Sequence, residues 1–194
     1  MRVGEVKRST SETGIDLSIN LDGSGTSQVD SGVPFLNHML DLLARHALVD
    51  LTLRAEGDTE VDDHHTVEDI GICLGHSIKQ ALGDKKGVAR YGHAVVPMDE
   101  ALVLVAIDLS GRSCLAYEVN LTSPRVGSFD TELVEEFLRA LVTNSGLTMH
   151  VKMLAGKNVH HIIEAIFKGL GRALRAACAL DPRETGIPST KGML

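Results

Sequence analysis

Residues 62–71 read DDHHTVEDIG and residues 158–167 read NVHHIIEAIF. Each stretch sets two adjacent histidines ahead of a glutamate: His64, His65 and Glu68 in the first, His160, His161 and Glu164 in the second. Two copies of so uncommon a pattern point to an internal repeat, which governs how the rest of the chain is read. The offset of 96 that aligns His64 with His160 also pairs Gly75 with Gly171 and Ala81 with Ala177. Upstream it becomes 98, with Leu40 opposite Leu138 and Leu53 opposite Val151. Further back it is 88, with Glu12 opposite Glu100 and Gly23 opposite Gly111. The offset changes only where loops differ in length, as a duplicated unit requires.

Each unit reads as two strands, a helix, a strand and a second helix. Alternation of Ile15, Leu17, Ile19 and Leu21 marks a strand with one buried face, whereas ALVLVAIDL at 101–109 is apolar throughout. DLSGRSC at 108–114 reads as a hairpin turn with Gly111 at its tip. Helical spacing covers about 34–46 and 131–143, with Pro34 at a helix start and Asp130 as an N-cap. The second helices run from about 65 to 82 and from 160 to 179, where Asp181-Pro182 ends the latter. The expected fold class is α+β: a duplicated β-β-α-β-α unit, with two small mixed sheets covering a central layer of four helices. The halves are residues 1–92 and 93–194, packed as one compact pseudo-symmetric unit, the second half carrying a C-terminal tail.

Composition narrows the function classes. The 194 residues suffice for a substantial core, and 43% of them are hydrophobic. A net charge of −7 and an aromatic content of 3% with no Trp argue against a nucleic-acid partner. No apolar run approaches the ~20 residues of a membrane span, and the first residues lack a signal-peptide core, so a cytoplasmic protein is expected. Cys73, Cys114 and Cys178 are widely spaced within apolar runs and read as buried free thiols in a reducing compartment.

Residues three and four apart share a helix face, so both histidines of each pair neighbour the glutamate, while the two histidines diverge by about 100° around the axis. One helix start can thus serve two different metal ions. Imidazole with carboxylate suits Mn, Fe, Zn or Ni, and the absence of thiolates argues against a structural zinc site. His38 aligns with Glu136, which gives two parallel ligand sets: His38, His64, His65 and Glu68, and Glu136, His160, His161 and Glu164. His46, His76, His93 and His150 lack repeat support and read as structural or surface residues. Asp62, Asp63 and Asp69 read as loop, cap or supporting groups near a helix N-terminus.

The halves differ at Lys168, which follows His161 and Glu164 along one face where the first half has Ile72. A lysine beside a cation needs an anion between them, which suggests an anionic substrate. Arg90, Arg112 and the terminal PSTKG, where Ser189, Thr190, Lys191 and the Gly192 amide could cradle a phosphate, are further anion contacts. For each of these, a solvated surface role stays open.

HHTVED, HHIIEAIFK, VPMDEAL, DLSGR and the terminal PSTKG together resemble the imidazoleglycerol-phosphate dehydratase family, over nearly the whole chain and in the family's order. The resemblance implies a hydro-lyase of histidine biosynthesis that converts D-erythro-imidazole-glycerol phosphate to imidazole-acetol phosphate. It implies two Mn(II) ions per active site and an assembly of about two dozen identical subunits, with sites where subunits meet. The implied metal ligands are His38, His64, His65, Glu68, His160, His161 and Glu164, with a departure at Glu136, where some members have histidine. The implied substrate contacts are Glu12, Arg90, Arg112, Lys168, Ser189 and Lys191, and Glu12, Glu68 and Glu164 are the candidates for acid–base work. The expected route is through a Mn-bound imidazolate that expels the C3 hydroxyl to give a diazafulvene, followed by loss of the C2 proton. A binuclear metal phosphoesterase and a non-catalytic metal-binding module are the competing readings.

Overall fold

A computed structural model describes residues 1–194. The first half runs β1 (Val3–Ser9), β2 (Thr13–Asn20), β3 (Ser27–Asp30), α1 (Pro34–Ala47), β4 (Asp50–Gly57) and α2 (His64–Leu82). The second runs β5 (Tyr91–Met98), β6 (Ala101–Asp108), β7 (Cys114–Glu118), a small pair β8 (Arg125–Val126) and β9 (Phe129–Asp130), α3 (Leu133–Ser145), β10 (Thr148–Ala155) and α4 (Val159–Cys178). The sheet orders are β1-β2-β4-β3 and β5-β6-β10-β7, the same topology twice. Both sheets are mixed: β3 runs parallel to β4, and β7 parallel to β10, while the other pairs are antiparallel.

The α+β class and the four helices agree with the sequence reading, and each half adds one short strand, β3 or β7. That strand alters the expected hairpin at 108–114. β10 inserts between β6 and β7, so the two flank it and never pair. The tight β-hairpins are β1–β2 and β5–β6, whose tips carry Glu12 and Glu100. Asp130 is not a helix cap either. It lies in β9, paired with Arg125 at 2.6 Å, and α3 begins after Glu132. Cys73 and Cys178 are buried free thiols, with burial raising their pKa to about 11 and about 12, but Cys114 is exposed on β7.

The helices form the middle of the molecule. α2 packs on β1 and β2 and against α3, and α4 packs on β5 and β6 and against α1. One core cluster joins both sheets and all four helices. Glycines set the closest approaches, and they do so twice. A Cβ on Gly75 would lie 2.6 Å from the Leu141 carbonyl oxygen and 3.0 Å from the Ser145 nitrogen. A Cβ on Gly171 would lie 2.6 Å from the Leu43 oxygen and 3.0 Å from the Ala47 nitrogen. Leu43 and Ala47 are the repeat partners of Leu141 and Ser145, so the α2–α3 and α4–α1 crossings are one contact made in duplicate. In the same way Gly4 sits against the Ser77 backbone, and its partner Gly92 against that of Ala173.

The outer faces of the two sheets differ. Across the first sheet Lys7, Asp16 and Arg54 form one outward row, with Lys7 and Asp16 paired at 2.7 Å. The equivalent row of the second sheet is Val95, Leu104 and Lys152. Around it lie Tyr91, Pro97, Leu102, Ala106 and Leu154, where the first sheet has Val3, Ser9, Gly14, Ser18 and Glu56.

Candidate active site

α4 supplies the densest set of functional groups because its start is well defined. Asn158 is the N-cap, its side-chain oxygen accepting the backbone N–H of His160 at 3.0 Å and of His161 at 3.4 Å. That fixes His160, His161, Glu164 and Lys168 on the first turns. Pro34 opens α1 without an N–H to satisfy, and the α1–α4 crossing carries His38 across to the same place. His38 Nε2 and His160 Nε2 each lie 3.1 Å from Glu164 Oε1. Ligand atoms of His38, His160 and Glu164 all fall within 4.8 Å of one another. Two imidazoles and a carboxylate converging so closely fit a divalent metal of the Mn, Fe, Zn or Ni type.

Burial alone would raise the Glu164 carboxyl pKa, but hydrogen bonds from Lys168, His38 and His160 outweigh it and hold the value at about 2. Lys168 Nζ sits 2.5 Å from Glu164 Oε2 and 3.3 Å from Met98 Sδ. The group between this lysine and the histidines is Glu164 itself, one turn earlier on α4. Lys168 braces the Glu164 carboxylate.

The second histidine of each pair turns elsewhere, as the divergence around the helix demands. His161 Nδ1 bonds Glu100 Oε2 at 2.8 Å, and His65 Nδ1 bonds Asp58 Oδ2 at 3.0 Å. These bonds raise the pKa of both histidines, and the His161 bond, with the amides of Asn158 and Lys157, brings Glu100 down to about 2. Glu12 Oε2 stands 3.9 Å from His65 Nδ1. Sequence reasoning passed over Glu100 and Asp58. Glu100 was within reach as the repeat partner of Glu12, but Asp58 faces Gly156 in the repeat and carried no such signal.

The first half holds its groups more loosely. His64 Nε2 lies 3.9 Å from Glu68 Oε2, and Glu136, on α3, makes no side-chain hydrogen bond. Among the supporting acids, Asp62 accepts the His64 N–H at 2.8 Å. Asp69 is buried, accepting Thr13 Oγ1 at 2.5 Å and Arg8 at 3.0 Å, and so ties α2 to β1 and β2. His46 is half-buried, and burial together with Lys168, Arg172 and Arg45 lowers its pKa.

The basic residues gather at the other end of the second sheet. Arg90, just before β5, pairs with Asp108 at 2.8 Å and donates to the Pro188 carbonyl at 2.8 Å, which docks the tail beside it. Within that tail Ser189 Oγ accepts the Lys191 N–H at 3.2 Å, forming a tight turn. Thr190 and Lys191 are exposed, as is Arg112, and the C-terminal Leu194 packs against Gly111 beside it. Arg90 and Met98 are separated by the length of β5, roughly 26 Å at ~3.3 Å per residue. Within one chain, the His38–His160–Glu164–Lys168 group and the Arg90–Arg112–tail group are not brought together.

The sequence profile of a family described as imidazoleglycerol-phosphate dehydratase matches residues 31–174. A protein of that name from Moorella thermoacetica is 66% identical over 97% of this chain and 96% of its own length. One from Desulforamulus reducens is 62% identical over 100% and 98%. The crystal structure of the Staphylococcus aureus dehydratase superposes with a TM-score of 0.85 at 44% identity, covering 92% of this chain and 99% of its own. Fold, motif order and similarity along almost the entire length agree: the chain belongs to the imidazoleglycerol-phosphate dehydratase family, a family of hydro-lyases.

Proposed function

We propose that the chain dehydrates D-erythro-imidazole-glycerol phosphate to imidazole-acetol phosphate in the cytoplasm, using two Mn2+ ions per active site within an assembly of 24 copies. Family membership supports the reaction and its place in histidine biosynthesis. The observation that carries the metal dependence is the convergence of His38, His160 and Glu164 on one point. His64, His65, Glu68 and His161 complete the ligand sets on this reading, with Glu136 as the eighth donor.

The reaction removes the elements of water from the substrate: the C3 hydroxyl leaves, the C2 proton is lost, and the resulting enol becomes the ketone. Bound Mn2+ supplies Lewis acidity toward the imidazole ring. The chain does the rest. Of the three carboxylates considered for proton transfer, Glu164 is enclosed by Lys168 and two histidines, and Glu68 stands 3.9 Å from His64. Glu12 is half exposed on a hairpin tip and makes no side-chain hydrogen bond, so it is the carboxylate free to move the C2 proton. Arg90, Arg112, Ser189, Thr190 and Lys191 hold the phosphate.

The ~26 Å between metal end and basic end supports sites built from more than one copy, because the three-carbon chain of the substrate is too short to span it. The outer face of the second sheet supports the same reading, since Val95 and Leu104 stand where the first sheet has the Lys7–Asp16 pair, although Lys152 and Glu118 keep an ion pair at 2.7 Å beside them. The test is to supply Mn2+ and substrate to the purified assembly and follow the products. A ketone product that disappears with chelation, and with Glu12→Gln, is expected. Release of inorganic phosphate without dehydration would identify a binuclear phosphoesterase instead. A Lys168→Ala chain with undiminished turnover would remove the role given to Glu164.

A further inference from the structure

The duplication offers an internal control on how each outward histidine is held. His161 and His65 are repeat partners, as are Glu100 and Glu12. In the second half the partners meet: Glu100 Oε2 takes His161 Nδ1 at 2.8 Å, while Glu100 Oε1 takes the amides of Asn158 at 2.6 Å and Lys157 at 3.1 Å. In the first half they stay apart at 3.9 Å, and Asp58 takes the ring nitrogen instead, at 3.0 Å. The repeat offset falls from 98 to 96 across this connection, so the first half has two more residues than the second between the aligned Gly57/Ala155 and His64/His160. Asp58 comes from that longer connection. Its counterpart, Gly156, has φ of 144°, and a Cβ there would lie 2.8 Å from Ile162 Cγ1, so the second half has no room for a carboxylate at this point.

An imidazole whose Nδ1–H is bound to a carboxylate has its tautomer and ring orientation fixed, and presents Nε2 as the free donor. We propose that Asp58 is the positioning residue that holds His65 in this state, and that by doing so it releases Glu12 from the task Glu100 performs in the other half. The inference rests on the reading of His65 as a metal ligand and Glu12 as a substrate-facing carboxylate. Asp58 Oδ1 has no hydrogen-bond partner, so the bond between Oδ2 and His65 is the one side-chain hydrogen bond this carboxylate makes. One ancestral position has thereby split into two jobs: Glu100 orients a ligand, and Glu12 is free for the substrate.

The experiment compares Asp58→Asn, Asp58→Glu and Glu12→Gln in the full chain, reading Mn2+ binding by electron paramagnetic resonance, kcat and KM at saturating Mn2+, and the thermal midpoint of the metal-free protein. Asp58→Asn, close to isosteric, is expected to weaken one class of Mn2+ sites by roughly 10- to 100-fold, with kcat largely restored by excess Mn2+ and the metal-free midpoint unchanged. Asp58→Glu should recover much of the affinity. Glu12→Gln should lose kcat with Mn2+ affinity intact. Wild-type Mn2+ affinity in Asp58→Asn, or an equal loss of affinity in Glu12→Gln, overturns the assignment. A lowered metal-free midpoint in Asp58→Asn does so as well, because it makes Asp58 structural. Chelation of the wild type separates the two levels: if activity survives it, the metal-dependent reading falls and this inference with it. If activity is lost while Asp58→Asn binds Mn2+ normally, only the positioning role falls.

Discussion

Substituting Gly171 by alanine tests the duplicated helix crossing directly. In an exposed helix interior the change would stabilise by about 1 kcal/mol. Here the new Cβ would sit 2.6 Å from the Leu43 carbonyl oxygen and 3.0 Å from the Ala47 nitrogen, backbone atoms of a neighbouring helix that cannot swing aside. Relieving the overlap means parting α4 from α1 by several tenths of an ångström along a packed seam. Overpacking costs about 1–3 kcal/mol, and because both close contacts are backbone atoms the upper part of that range, about 2–3 kcal/mol, applies; set against the propensity gain, this leaves a net loss of about 1–2 kcal/mol. For a chain of this size the thermal midpoint falls by roughly 2–4 °C per kcal/mol. Gly75→Ala should lose the same amount, because its neighbours are the repeat partners of those around Gly171. Gly14→Ala, with nothing within 4 Å of the added carbon, should lose nothing. The measurement is thermal or urea unfolding of the chelated protein at one fixed concentration, since the proposed assembly and metal would each add to apparent stability. The two crossings should part company in metal binding: α1 carries His38, so Gly171→Ala weakens Mn2+ more than Gly75→Ala. A Gly171→Ala chain as stable as the wild type would refute the close-contact argument, and a loss at one crossing alone would refute the equivalence of the two.

Leu104→Asp puts a charge in the middle of the apolar outer face of the second sheet and should shift the light-scattering mass toward smaller species. Asp16→Leu, its counterpart on the first sheet, should not, and an unchanged mass in Leu104→Asp would remove that face as an interface. Glu164→Gln addresses acid stability in the metal-free chain. The folded pKa of about 2 lies below the ordinary value of about 4.3, so the ionised carboxylate stabilises fully above pH ~4.3, and that contribution is lost as pH falls toward ~2. The stability gap between wild type and Glu164→Gln should therefore close over that interval, and a gap that widens on acidification would contradict the assignment. Mixing is the test of shared sites: inactive His160→Ala and inactive Lys191→Ala chains, dissociated and reassembled together, should recover about a quarter of wild-type activity by random assortment if metal end and basic end come from different symmetric copies. No recovery would place both ends of a site in one chain.

The elements the sequence revealed best were those where spacing alone carries the information. HHxxE at two positions gave the repeat, and the repeat gave the four helices within two residues of their ends. What it concealed follows from pairings between distant segments. β3 is too short to show periodicity, and although the run after DLSGRSC reads as strand-like, the insertion of β10 between β6 and β7 depends on long-range register that a hairpin-like turn does not encode. Asp130 looks like a cap because acids favour helix starts, yet Arg125 in the same small hairpin holds it in β9. At the site, ligand types and their helix faces were legible because helical geometry is rigid. The partners of the outward histidines were less so, since Glu100 and Asp58 lie on a hairpin tip and a connection whose folding no local pattern announces. Lys168 shows what helical spacing does not give: it places the lysine on one face with Glu164, but only the folded side chains show the two in contact, one turn apart.

On the proposed 24-copy reading, the inequality of the halves bears on how the assembly would stay finite. If the row Lys7–Asp16–Arg54 were as apolar as Val95–Leu104–Lys152, each chain would offer two sticky faces on opposite sides, and contacts that do not close generate open-ended stacks. On that reading, the Lys7–Asp16 pair on one side against Val95 and Leu104 on the other would leave one face better suited to face-to-face contact, and stacking would stop after it. Further copies must then join through the sheet edges and the ends of the helices, which is where the histidines lie. With eight donors proposed per chain and two ions per site, each chain brings one site's complement of ligands, whatever the number of copies. On the proposed reading metal supply and closure of the assembly would be coupled, because a copy at an open edge would have histidines and carboxylates with no partner across the boundary.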